Sequence, residues 1–330
     1  MAALSLALSG CHAGQGAVVD APASAADEIV RVLVPDSGIT ATIVAPSGLG
    51  AKRSVELILY ALPNGNSTAE TMGRALTDSS VGWRFDIQHI AAQTRALRAR
   101  GVSRAVVVYL EASGKSWPAW RQARGYDQAN ARILRVVQAL RDTVARMTAA
   151  SDVRVTLTGH SGGGSFMFGV IEAPTPIPAW VDRIAFLDAN YNFAAKHGPV
   201  LAAWLFGHPK RRLEVVAYDD REIMLDGKKV VSDSGGTWRA SERLIAWFGA
   251  SAPLVRDTAG VFLRWQSTEQ ANGKLEILLH PNPENRILHT ALIGEMNAYL
   301  YTMLVGRDSS VQVLAHPSSP RVYSEFVRMR

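Results

Sequence analysis

Val153-Arg154-Val155-Thr156-Leu157-Thr158-Gly159-His160-Ser161-Gly162-Gly163-Gly164-Ser165-Phe166-Met167-Phe168-Gly169-Val170-Ile171-Glu172 is the stretch whose reading decides the fold. Its first six residues alternate β-branched and other side chains, as a short strand does. The apolar run from Ser165 to Glu172 reads as a buried helix that stops before Pro174. Between strand and helix stands G-x-S-x-G. A turn this sharp carries its serine in a strained backbone conformation. A Cβ two positions before or after that serine would collide with a neighbouring strand or helix, and Gly159 and Gly163 hold those two positions. The strand, the kinked turn and the helix together present the Ser161 hydroxyl as a nucleophile.

Other glycine-rich readings fail on spacing. A dinucleotide fingerprint needs a third glycine that Gly162-Gly163-Gly164-Ser165-Phe166-Met167 lacks. Ser113-Gly114-Lys115-Ser116 contains G-K-S, but the glycine that opens a P-loop is replaced by Tyr109.

Outward from the elbow, the chain reads as strands followed by alternating strands and helices. Strands are expected at Ile29–Val34 and Ile39–Ala45, joined by the turn Pro35-Asp36-Ser37-Gly38, and at Val55–Leu62, whose continuous apolarity suits a central position. A helix is expected from near Asp86, a strand at Arg104–Leu110, and a longer helix from about Asp127, with Ile133, Val137, Leu140, Val144 and Met147 at helical spacing. Past the elbow come strands at Arg183–Leu187 and Leu213–Tyr218, a helix around Ser241–Phe248, a last strand at Lys274–Leu279 and a helix over Ala291–Leu304. Ile223–Val231 reads as a hairpin turning at Asp226-Gly227.

This order resembles the α/β-hydrolase superfamily of esterase- and lipase-like serine hydrolases, over most of the chain from about Ile29 to Leu304. The resemblance implies an α/β fold with a mostly parallel central sheet and helices on both faces. It also implies a catalytic triad in the chain order Ser…Asp/Glu…His. His289, beyond the loop after the last strand and just before the final helix, is the preferred base; His280, at the strand's end, is the alternative. For the acid, Asp219 and Asp188 each follow a strand, and the sequence does not separate them; Asp220 comes third. The oxyanion hole is expected from the Gly162 amide and from Asn64 or Gly65 in the turn Pro63-Asn64-Gly65-Asn66. Trp117 and Trp120 are expected to contact substrate or else to pack internally, His160 to contact substrate, and Asn190–Pro209, with Tyr191, Phe193, Trp204, Leu205 and Phe206, to form a small lid or cap or else to bury a second small core.

The N-terminus carries the other signal. The apolar run Met1–Leu8 ends in Leu8-Ser9-Gly10-Cys11, which resembles the lipobox of bacterial lipoproteins. Lipidation of Cys11 would anchor the chain at a membrane of the cell envelope, and the Ala/Gly/Ser-rich stretch His12–Asp27 would serve as a tether. The run lacks a basic opening, its first lysine or arginine being Arg31, so either the start lies upstream or the resemblance is incidental; a secreted, unanchored protein is the alternative localisation. Residues 1–28 are then leader and tether, and 29–330 a single domain.

Composition agrees with an enzyme-sized globule. The 330 residues are 48% hydrophobic and 19% charged, which describes a folding chain with an ample core. A net charge of +6 is scattered without a basic run, so no nucleic-acid partner is expected. Cys11 is the only cysteine, which excludes an internal disulfide. Asp86, Gln88 and His89 open a helix without further ligands for a metal, and no cofactor is expected. The expected activity is cleavage of a carboxylic ester in a small molecule, polysaccharide or lipid. A peptidase or amidase with the same triad, or a noncatalytic binding lipoprotein, is the alternative. Oligomeric state is left open.

Overall fold

The computed structural model describes residues 28–49, 54–76, 82–268, 273–307 and 321–329. Cys11 and the leader lie outside the described residues.

Twelve strands and nine helices form the described chain. The first part runs β1 (Glu28–Asp36), β2 (Ile39–Pro46), β3 (Ser54–Ala61), α1 (Thr68–Met72), α2 (Ile90–Ala99), β4 (Ala105–Ala112), α3 (Trp117–Gln122) and α4 (Tyr126–Thr148). The middle runs β5 (Asp152–His160), α5 (Gly164–Ile171), β6 (Val181–Leu187), α6 (His197–Phe206), β7 (Arg212–Tyr218), β8 (Met224–Leu225), β9 (Lys228–Lys229) and α7 (Thr237–Ser251). The last part is β10 (Leu254–Ala259), β11 (Phe262–Ser267), β12 (Leu275–His280), α8 (Ala291–Gly294) and α9 (Ala298–Leu304).

Ten strands join one sheet in the order β1-β2-β4-β3-β5-β6-β7-β12-β11-β10. The six from β4 to β12 run parallel; β1 and β2 at one edge, and β10 and β11 at the other, run antiparallel to their neighbours. With the elbow after β5, this is the α/β-hydrolase fold.

Period-two alternation sorts each central strand between two cores. In β3, Val55, Leu57 and Leu59 face the layer of α3 to α7, in one core with Ile133, Leu140, Phe166 and Leu244. Ile58 and Tyr60 face the layer of α2, α8 and α9, with Leu97, Leu292 and Tyr299. Burial on both faces is why these strands read as near-continuous apolar runs.

Four regions depart from the sequence reading. The helix expected from Asp86 begins at Ile90; Trp83–Asp86 is a separate 3-10 turn, and His89 between them has φ 48°. The final helix is split into α8 and α9, and Asn297 at the break has φ 58°. The β10–β11 hairpin was not anticipated. Its outer strand β10 is largely exposed and polar, so it lacks the apolar pattern of a core strand. Finally, Phe193, Trp204 and Leu205 belong to the main core; the Trp204 indole N–H donates to the Val181 carbonyl, 2.8 Å away. The Asn190–Pro209 segment is thus a structural layer over β6 rather than a separate apolar lid.

The described C-terminal residues return to the layer of α2 and α8. Tyr323 donates its hydroxyl to the Gly294 carbonyl at 2.5 Å, and Arg321 pairs with Asp86 at 2.7 Å. Ala75 N–H donates to the Arg328 carbonyl at 2.7 Å.

Candidate active site

Ser161 follows β5 directly and has φ 54°, the left-handed region that a non-glycine residue occupies at a cost of about 1–3 kcal/mol. The neighbours enforce it. A Cβ on Gly163 would stand 2.2 Å from the Ala61 carbonyl oxygen, and one on Gly164 1.8 Å from the Ala189 carbonyl oxygen. A Cβ on Gly159 would also crowd the Ala61 oxygen, at 3.0 Å. The elbow is therefore pressed onto the C-terminal end of β3 and the residue after Asp188. Bare glycine backbone is what lets the chain cross there. The serine it presents is half-buried.

His289 ends the loop between β12 and α8. Its Nδ1 lies 2.5 Å from Asp188 Oδ2. A carboxylate accepts, so Nδ1 carries the proton and the Nε2 lone pair is left to act as a base. Asp188 has no solvent exposure and sits just past β6 with φ 47°, its N–H donating to the Val216 carbonyl at 2.7 Å. Its other oxygen, Oδ1, accepts a short hydrogen bond from the Thr237 hydroxyl.

His160, immediately before Ser161, ties His289 to the elbow. Its ring centroid is 4.3 Å from that of His289, and its Nε2 lies 3.0 Å from the His289 carbonyl oxygen. A carbonyl only accepts, so His160 carries its proton on Nε2. Its Nδ1 is buried without a partner. Burial, and secondly repulsion from His289, hold the His160 imidazole well below its usual range of protonation. Of the two adjacent rings, His160 stays neutral.

The Asn64 side chain lies against Gly162: a Cβ there would stand 2.1 Å from Asn64 Oδ1. The turn is braced behind it. Gly65 N–H donates to the Lys115 carbonyl at 2.9 Å, and Ser67 and Glu70 form a reciprocal cap on α1.

The structure thus gathers Ser161, Gly162, His160, His289, Asp188 and Asn64, and leaves the other expected residues elsewhere. Asp219 does not reach His289: its carboxylate is gripped at both oxygens by Arg221, at 2.9 and 2.7 Å. Asp220 caps α7, accepting from the Thr237 N–H at 2.8 Å. Gly65 is not free to serve an oxyanion, because its amide is committed to Lys115. Trp117 and Trp120 are buried, with the Trp117 ring 4.7 Å from Phe166 of α5, so they pack behind the elbow and do not line a binding surface. His280 accepts the Asn282 N–H at its Nδ1, 3.0 Å away, and stacks edgewise on Phe262, a strand-end role. His160 supports the base rather than facing open space. Thr237 was not singled out from the sequence: Gly235-Gly236-Thr237 signals a helix start and says nothing of Asp188, 49 residues away in the chain. Among the described residues no cluster of three His, Cys, Asp or Glu stands ready for a metal ion.

No protein-family model matches the chain, and no curated protein matches it. Among solved structures, it is similar to a feruloyl esterase module from Clostridium thermocellum, complexed with sinapinate, at 10% identity and a TM-score of 0.49 over 93% of this chain and 94% of that one. It is similar to poly(aspartic acid) hydrolase-1 from Sphingomonas sp. KT-1 at 11% identity and a TM-score of 0.48, over 84% of this chain and 98% of that one. A third likeness is to acetyl xylan esterase from Aspergillus awamori, at 10% identity and a TM-score of 0.46, over 77% of this chain and 93% of that one. At such identities these are likenesses of overall shape.

Proposed function

We propose that the protein is a serine hydrolase that cleaves carboxylic esters through an acyl-enzyme, with Ser161 as nucleophile, His289 as general base and Asp188 as the acid. The observation that carries this reading is the 2.5 Å contact of His289 Nδ1 with the buried Asp188 carboxylate, the His289 ring lying 4.3 Å from that of His160, the residue just before Ser161 in its strained elbow.

In this reading His289 Nε2 takes the Ser161 hydroxyl proton as Oγ attacks the ester carbonyl. The imidazolium that forms is held by Asp188, which is buried and twice hydrogen-bonded and so needs no reorganisation as charge develops. The oxyanion of the tetrahedral intermediate takes the Gly162 amide, with Asn64 as the neighbouring donor. Collapse breaks the ester C–O bond, and His289 returns its proton to the departing alkoxide. Water, activated by the same imidazole, then attacks the acyl-enzyme, releasing the acid and restoring Ser161. His160, neutral throughout, keeps a second positive charge away from the first.

A fluorophosphonate probe and a panel of short acyl esters test the proposal. Wild-type protein is expected to be labelled and to turn over esters, and Ser161→Ala to do neither. Labelling that survives in Ser161→Ala would remove this serine from the chemistry. Turnover of peptides in preference to esters would replace esterase by amidase.

A further inference from the structure

We infer that Thr237 is a positioning residue of this site: its hydroxyl fixes the outer oxygen of Asp188 and is itself oriented by Asp220, so that a second carboxylate is wired to the acid–base pair. The inference rests on the proposal that Asp188 and His289 serve Ser161.

Thr237 is fully buried at the first turn of α7. Its one hydroxyl proton has two carboxylates within reach. Asp188 Oδ1 takes the short bond, and Asp220 Oδ2 lies at 3.3 Å. The proton is therefore committed to Asp188, and that bond fixes the carboxylate's rotation so that Oδ2 meets His289 Nδ1 at 2.5 Å. Asp220 sets the hydroxyl's position through the backbone, accepting the N–H groups of Thr237 at 2.8 Å and Trp238 at 3.4 Å. Gly236, with φ 92°, makes room for this: a Cβ there would stand 2.5 Å from Asp220 Oδ1. The helix start is held from behind as well. Ser241 donates to the Thr237 carbonyl at 2.8 Å, and Asn190 donates to Ser241 at 2.9 Å.

The groups that face the two carboxylates are few. From β7 comes Tyr218 and from the segment after β6 Tyr191, and burial, then the Asp188 and Asp220 charges, push both phenols up. From the loop before α8 comes His289. Arg221, the next residue after Asp220, is turned to Asp219. Burial, then the Asp188 charge, raise the Asp220 carboxyl to about 6, against the pull of the α7 amides. Each negative charge here favours the imidazolium form of the neighbouring base, and each donor to Asp188 weakens that preference.

The two partners are therefore expected to act in opposite directions. Thr237→Val is expected to lower kcat on the order of 10-fold with KM little changed, since it removes one buried hydrogen bond to a charge. It should also move the acid limb of the kcat/KM profile to higher pH. Thr237→Ser, which keeps the hydroxyl, restores both. Asp220→Asn, which removes the second charge, is expected to move the limb to lower pH, on the order of half a unit. The downfield proton resonance of His289 Nδ1 reads the same contact without turnover. It should shift further downfield in Thr237→Val, whose Asp188 is a stronger acceptor, and stay in place in Thr237→Ser. An unmoved resonance in Thr237→Val overturns the inference. If Ser161→Ala hydrolyses esters as well as wild type, the proposed function falls while the resonance still decides the role of Thr237. Should Thr237→Val not fold, Asp220→Asn carries the test, and an acid limb that stays put or rises overturns it.

Discussion

The imidazole of His160 lies against that of His289, ring centroids 4.3 Å apart, and donates its Nε2 proton to the His289 carbonyl 3.0 Å away. The residue before Ser161 thus anchors the proposed base, across 129 positions of chain. His160→Phe preserves the stacking and removes the donor. It is expected to lower kcat roughly 10-fold, the effect of leaving one buried acceptor unpaired, with KM changing little. Steady-state kinetics on a chromogenic ester measures this, and a loss confined to KM would return His160 to substrate contact.

The two aspartates that the sequence left open separate cleanly by mutation. Asp188→Asn is expected to lower kcat by about 10³–10⁴-fold, because the amide favours the wrong tautomer of His289. Asp219→Asn breaks a partly exposed pair with Arg221, worth about 0–1 kcal/mol, and should leave kcat alone. Equal losses in the two variants would contradict the assignment.

Gly163→Ala tests the elbow's packing rather than its chemistry. The added methyl would need the space of the Ala61 carbonyl oxygen, 2.2 Å away, and backbone cannot swing aside as a side chain does. A loss of about 1–3 kcal/mol or more is expected in denaturant melts. A variant as stable as wild type would mean that the crossing is looser than described.

Glu214 gives the fold a pH dependence away from the site. Burial is the main cause that raises its carboxyl from 4.5 to about 7, against the attraction of Arg212 and Arg183. The native state therefore holds this proton more tightly than the unfolded chain does. The stability it contributes is complete below about pH 4.5 and is lost as pH rises through about 7. The loss is on the order of 3 kcal/mol. Melts at pH 5 and pH 8 should show a smaller difference in Glu214→Gln than in wild type. A difference of the same size would assign the dependence to other groups.

What could be read from the sequence was what local covalent geometry encodes. The elbow is legible because its requirement for small residues falls at fixed positions on either side of Ser161. His289 is legible because chain order brings the loop after the last parallel strand back to the same end of the sheet. The acid is not, since β6 and β7 are each followed at once by an aspartate and only the path of the 281–289 loop chooses between them. The role of Trp117 and Trp120 stays open in the sequence for a related reason: an aromatic near a strand end looks the same whether it faces solvent or the underside of α5. Thr237 offered no pattern. Its importance lies in one contact with a residue far away in the chain, where propensity and periodicity carry no information.

The clasp of Tyr323 on Gly294, and of Arg321 on Asp86, bears on when during synthesis the proposed site is completed. The serine and its acid are translated well before the segment that braces the helix behind the histidine. A nascent chain halted just past α9 would hold a finished elbow beside an unbraced base. The proposed site should therefore be completed only after residues 321–328 have been translated.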